Sequence, residues 1–167
     1  MPLFGSSLKA EEKRANKEAL LTALVDVTSS THHTTIDDAT ILRIAEAIRA
    51  DSSLLEKMIK FLKAKIKDED PMIQCVGLEV LDKCMSSEIG FPCQYEAKHK
   101  ILPRVVKLTD PKEGYHHEVQ RRAKVMIWRW ADLYGKDVRL GGFMTAYGEV
   151  KSKGGYEEAE ETAESTD

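Results

Sequence analysis

The sequence lacks most of the signatures that announce an enzyme. It has no glycine-rich phosphate loop, no GxSxG and no HExxH, so the common marks of nucleotide binding, serine hydrolysis and zinc proteolysis are missing. Its three cysteines, Cys75, Cys84 and Cys93, are odd in number and show no CxxC spacing. That is the pattern of buried, reduced thiols in a cytosolic protein, not of a disulfide frame. The five histidines fall as His32-His33, His116-His117 and a lone His99. Adjacent residues on a helix point about 100° apart and cannot chelate as an i, i+4 pair would, so neither a metal nor a cofactor is expected. No run approaches the roughly 18 apolar residues of a spanning helix. No signal peptide is evident, and Pro2 excludes N-myristoylation. A soluble chain is expected, with membrane contact at most peripheral. Strong charge of one sign is also absent, at a net −3. The segment Gly155–Asp167 holds six of the 28 acids and none of the 25 bases, leaving the rest at about +3. That excess is too small to suggest nucleic acid as a partner.

What is present is helix. With 42% hydrophobic and 32% charged residues over 167 positions, the chain has the composition of one globular domain. It is organised around Lys60–Met85, two helices joined by a turn at Asp68-Glu69-Asp70-Pro71. Leu55, Met58, Ile59, Leu62 and Ile66 form one apolar stripe. After the turn, Ile73, Cys75, Val76, Leu78, Val80, Leu81, Cys84 and Met85 point in nearly every direction. A helix this apolar all round is the central rod of a helical domain, with Asp70 as its N-cap and Pro71 in its first turn.

The remaining elements follow by periodicity and punctuation. Residues 1–10 read as a flexible lead-in, 11–154 as the helical domain and 155–167 as an acidic, disordered tail. A first helix covers Glu11–Thr28 through Leu20, Leu24 and Val27, followed by a polar loop, Ser29–Thr34. Thr35 and Asp38 suggest a capping box ahead of Ile41, Ile44, Ala45 and Ile48, and Ser53 with Glu56 repeats it for the third helix. Gly90-Phe91-Pro92 breaks the chain. Short helices then cover Gln94–Leu102 and Pro103–Leu108, separated at Pro103. After a turn at Asp110–Gly114, a long helix spans His117–Leu133 with Val119, Ala123, Met126, Ile127 and Trp130 inward. Trp128 is either wedged against a neighbouring helix or exposed. The last helix, Gly142–Lys153, turns Phe143, Tyr147 and Val150 inward and stops at Gly154-Gly155. Eight helices without a strand make an all-α, solenoid-like domain.

KFLKAKIKDEDPMIQCVGLEVLDKCM, Gly90-Phe91, VMIWRWADLYG and GFMTAYGEVKSKGG together resemble a VHS domain of the target-of-Myb-like type, within the ENTH/VHS superfamily. The resemblance covers roughly Leu20–Tyr156. It rests on the Asp70-Pro71 turn with Gln74, Leu78, Leu81 and Cys84, on Trp130-Ala131-Asp132, and on Tyr147 followed by Lys151 and Gly154. It implies a right-handed superhelix of about eight helices and a non-enzymatic adaptor in vesicular and endosomal sorting. Such an adaptor is cytoplasmic, peripheral to endosomal or Golgi membranes, and engages sorting machinery and ubiquitinated cargo. Its ubiquitin-binding surface would fall on Asp38, Leu42 and Glu46 of the second helix and Gln74 of the fourth. Asp38 stands where ubiquitin-binding members carry a tryptophan. The acidic-dileucine groove of Golgi-type members needs aromatic and basic residues in the sixth helix, and Ala97–Leu108 has no Phe or Tyr. The alternative is an epsin-type peripheral module, with Lys60, Lys63, Lys67, Arg121 and Arg122 as contacts for phosphoinositide or another acidic ligand.

Overall fold

The computed structural model of the chain describes residues 2–29 and 36–156, with side chains from Leu8 onward. Among them are eight α-helices and no strand: α1 (Pro2–Ser29), α2 (Asp38–Ala50), α3 (Leu54–Ile66), α4 (Pro71–Met85), α5 (Gly90–Lys100), α6 (Leu102–Leu108), α7 (His117–Tyr134) and α8 (Gly142–Ser152). Single 3₁₀ turns at Pro111–Glu113 and Val138–Leu140 lead into α7 and α8.

The expected rod is α4, which packs against α1, α2, α3, α5 and α7. Its start is built as the residues dictate: the Asp70 carboxylate accepts the Met72 N–H at 2.9 Å, and Pro71 needs no donor. Leu78, Val80, Leu81, Cys84 and Met85 are fully buried, while Ile73, Cys75 and Val76 are half-buried. Gly77 lets α3 and α4 approach, since a Cβ there would lie 3.1 Å from Lys65 Cβ and Ile66 Cγ1.

Carbonyls at a helix C-terminus have no partner within the helix. Three side-chain amides from neighbouring elements serve them: Asn16 Nδ2 donates to Ala47 O at 2.8 Å, Gln74 Nε2 to Ile66 O at 3.0 Å, and Gln94 Nε2 to Met85 O at 2.8 Å. These contacts tie the end of α2 to α1, of α3 to α4, and of α4 to α5.

Asp82 is the one buried acid of the rod, 8% exposed. Its Oδ1 accepts from Trp130 Nε1 at 2.9 Å and from Arg129 Nε at 3.1 Å. This fixes the rotation of α7, so that Val119, Ala123, Met126, Ile127 and Trp130 face inward as their spacing predicts. Trp128, about 200° away from Trp130, is exposed. The Trp130 ring then meets Phe143 of α8 edge-on at 6.0 Å.

Several boundaries differ from the sequence reading. α1 begins at Pro2 rather than Glu11, so residues 2–10 continue a helix instead of forming a loose lead-in. Leu8–Ala19 contains no breaker and is rich in Ala, Glu and Lys, which favour helix without any apolar stripe. α2 begins at Asp38 with Asp37 as its N-cap, accepting the Ala39 N–H at 3.0 Å. Thr35 and the polar loop around His32-His33 lie outside the described residues. Ser53 makes no cap. Asp51 accepts its N–H at 3.1 Å and its hydroxyl at 2.7 Å, so the carboxylate two residues earlier organises that turn. α5 starts at Gly90, whose φ of 44° suits glycine, and Pro92 sits in the first turn, where no donor is needed. In α8 Ala146 is buried and Tyr147 half-buried. The domain extends through Tyr156, whose hydroxyl donates to Lys124 O at 2.9 Å and whose ring lies 4.9 Å from Tyr147. Gly155 and Tyr156 therefore belong to the fold, and the rest of the expected tail, 157–167, lies outside the described residues.

Replacing Asp82 by Ala leaves the buried Trp130 N–H unpaired and removes an ionic hydrogen bond. The expected loss in urea unfolding is about 2–3 kcal/mol, with Asp82→Asn losing less because its amide oxygen still accepts.

Candidate functional site

The second helix places Asp38, Leu42 and Glu46 on one outward face, four residues apart, because Ile41, Ile44, Ala45 and Ile48 take the inner face. Leu42 is 44% exposed, an unusual position for a leucine flanked by so apolar a face. Beside it α2 and the end of α4 enclose a shallow groove of about 250 Å³, lined by Asp38, Ile41, Leu42, Ala45 and Lys83 and closed by Ser86–Glu88. Lys83 Nζ stands 3.6 Å from Asp38 Oδ1 across the mouth. Arg49 pairs with Glu88 at the far end. The groove thus has an apolar floor and an ionic rim.

Of the ubiquitin-surface residues expected from sequence, Asp38 and Leu42 meet at this groove, and Glu46 continues their face beyond it. Gln74 does not join them. It is 3% exposed and its amide serves the α3 carbonyl of Ile66, so it is a joint of the fold and not a surface contact. The residue that sequence reasoning missed is Lys83. Its signal was available: with Glu79 and Asp82 it is one of only three charges on α4.

The basic residues expected to converge do not share a site. Lys60 pairs with Glu56 at 3.5 Å, and Glu56 also faces Lys100 at 3.9 Å. Arg121 is held by Glu118 at 2.6 Å, and Arg122 by Glu79 and Glu118. The Arg121 guanidinium holds the Glu118 carboxyl below its usual range and is itself held up by it. Arg121 and Arg122 are therefore neutralised between α4 and α7, a correction to their reading as free anion contacts. Lys63 and Lys67 have no ion pair among the described residues. Lys57, on the same helix, is pushed down by a hydrogen-bonding contact with the Lys17 side chain and by its charge, and further by Lys60.

The thiols offer no nucleophile. Burial pushes Cys84 up to about 12 and Cys93 well above its ordinary value, and a thiol that stays protonated is inert. Cys75 is only half-buried and less strongly raised. Among the described residues no three potential metal ligands cluster, and no helix is long and apolar enough to cross a membrane. Under native conditions a maleimide reagent is expected to label Cys75 and to reach Cys84 and Cys93 only after denaturation. Rapid labelling of all three in the folded protein would contradict this burial. Comparison with known proteins gives no match among curated sequences. The family model of the VHS domain, however, matches residues 14–154, nearly the whole of the helical array from α1 to the turn after α8. The chain belongs to the VHS domain family.

Proposed function

We propose that the domain is a non-enzymatic adaptor module of vesicular protein sorting that holds ubiquitin, free or on cargo, weakly through the groove between α2 and α4. The observation that carries this reading is Leu42, an exposed leucine on the rim of a groove floored by Ile41 and Ala45. A shallow apolar surface edged by charge suits a partner with a small apolar patch. Asp38 and Lys83 occupy the rim where an aromatic anchor would add contact area. Their ion pair is exposed and contributes little by itself, so the interaction is weak. Titration of the labelled domain with ubiquitin is expected to shift the amides of Leu42, Glu46 and Lys83 in fast exchange. Leu42→Ala should weaken binding by about 1.5 kcal/mol, roughly tenfold. Unmoved amides at this groove with ubiquitin at about 1 mM, a concentration matching roughly −4 kcal/mol of binding, would remove the reading.

A second reading is favoured by the crowding of Lys17, Lys57 and Lys60. Like charges held this close are relieved by an anionic surface, and Lys63 and Lys67 extend the same helix with unpaired ammoniums. The partner in this reading is a phosphoinositide-bearing membrane. In liposome flotation the domain is expected to rise with phosphoinositide vesicles at low salt and to stay down after Lys57→Glu with Lys60→Glu. Equal flotation of both proteins, or none of either, would eliminate it.

A further inference from the structure

Away from the α2–α4 groove, the fold encloses a larger one. A cavity of about 700 Å³ lies between α6, the Pro111–Glu113 turn, α7 and the C-terminal end of α8. Its apolar lining includes Val106 and Val150, and around them stand Lys107, Lys112, Lys124 and Lys153. The acids that line it are Asp110 and Glu149, and both have local work. Asp110 accepts the Lys112 N–H at 2.9 Å, and Glu149 lies 3.7 Å from Lys153. Lys107 has Glu113 at 3.9 Å. Lys112 and Lys124 have no ion pair among the described residues. Cations therefore outnumber anions around this groove.

The chain leaves the domain at the same place. Gly154 and Gly155 form part of the groove wall. Gly154, at φ 78°, turns the backbone, and at Gly155 a Cβ would meet Val150 Cγ1 at 2.6 Å, so only glycine lets the chain fold this closely onto α8. Tyr156 is then pinned by its hydrogen bond to Lys124 O. The residues that follow, 157–167, read EEAEETAESTD: six acids, no base and no leucine.

We propose that segment 157–167 occupies the lysine groove of its own domain, as an internal acidic ligand that any acidic partner peptide must displace. Three observations select this occupant: its charge opposes that of the groove, its first residue follows a side chain fixed beside Lys124, and its length suffices. At about 3.3 Å per extended residue it can run past α6, which rises only about 1.5 Å per residue. Exposed ion pairs are individually weak. The tether makes their sum effective, because it holds six carboxylates beside the groove at an effective concentration on the order of millimolar. With no leucine in the segment, charge alone recognises it. The inference is independent of the ubiquitin reading, since no residue of the α2–α4 groove takes part.

The test compares amide spectra of the full chain with those of the same chain carrying Glu157→Gln, Glu158→Gln, Glu160→Gln, Glu161→Gln and Glu164→Gln. The reporters are Lys107 and Lys112, which are remote in sequence from the changed residues. Expected are shift differences at Lys107, Lys112 and Lys124 that vanish as salt rises from about 0.01 M to 1 M, over which the screening length falls from about 30 Å to 3 Å. A free peptide of sequence 157–167 should shift the same amides of the neutralised chain and leave those of the unaltered chain much less affected. Identical low-salt spectra at these lysines would overturn the proposal. Differences that grow with protein concentration would also overturn it, because the occupant would then be the segment of a second copy.

Discussion

A single carboxylate inside an apolar rod sets the geometry of half the domain. Asp82 sits on the most buried helix, where an unpaired charge would cost several kcal/mol. It is tolerated because the Trp130 indole and the Arg129 guanidinium both reach its Oδ1. Those two donors are adjacent on α7, so satisfying Asp82 leaves α7 only one rotation about its axis. That rotation buries Trp130 against Phe143, leaves Trp128 in solvent, and turns the Lys124 carbonyl toward the hydroxyl of Tyr156. Apolar burial alone would let α7 roll or slide, because hydrophobic contact is non-directional. The ionic hydrogen bonds supply the direction.

The fold was legible in the sequence where one physical rule acted alone. The apolar stripes of α2, α3 and α7 and the all-round burial of α4 follow from helical period, and Asp70-Pro71 follows from capping chemistry. Reading failed where rules competed. Asp37, Asp38 and Thr35 are all acceptable N-caps, and the tertiary position of α2 chose Asp37. Ser53 lost its capping role to Asp51 because both offer oxygens to the same turn. The start of α1 was invisible because its first turns are supported by propensity, which leaves no period to detect.

The candidate site was legible in part, for a related reason. Leu42 stands out because it interrupts the polar face of an amphipathic helix. Lys83 and Gln74 are both polar residues on α4, and sequence cannot say which of them faces solvent. The structure decides by what each can donate to. Gln74 finds the free carbonyl of Ile66 nearby, while Lys83 sits at the edge facing Asp38. Arg121 and Arg122 likewise looked like a cationic patch in sequence, until Glu79 from another helix was placed beside them.

The amide joints of Asn16, Gln74 and Gln94 have a consequence for ageing. Each of these side chains donates a neutral N–H to a carbonyl at the end of a helix. Such joints are indifferent to protonation and to ionic strength, whereas the rims of both grooves are ionic. Solution conditions can therefore modulate what the surface holds without loosening the stack beneath it. The vulnerability is chemical instead. Hydrolysis of one such amide replaces the donor nitrogen with a carboxylate oxygen, and attraction to the carbonyl becomes repulsion. At Gln74 that conversion would put a charge at the buried seam between α3 and α4, so slow deamidation there would act as an irreversible timer on the folded lifetime of the domain.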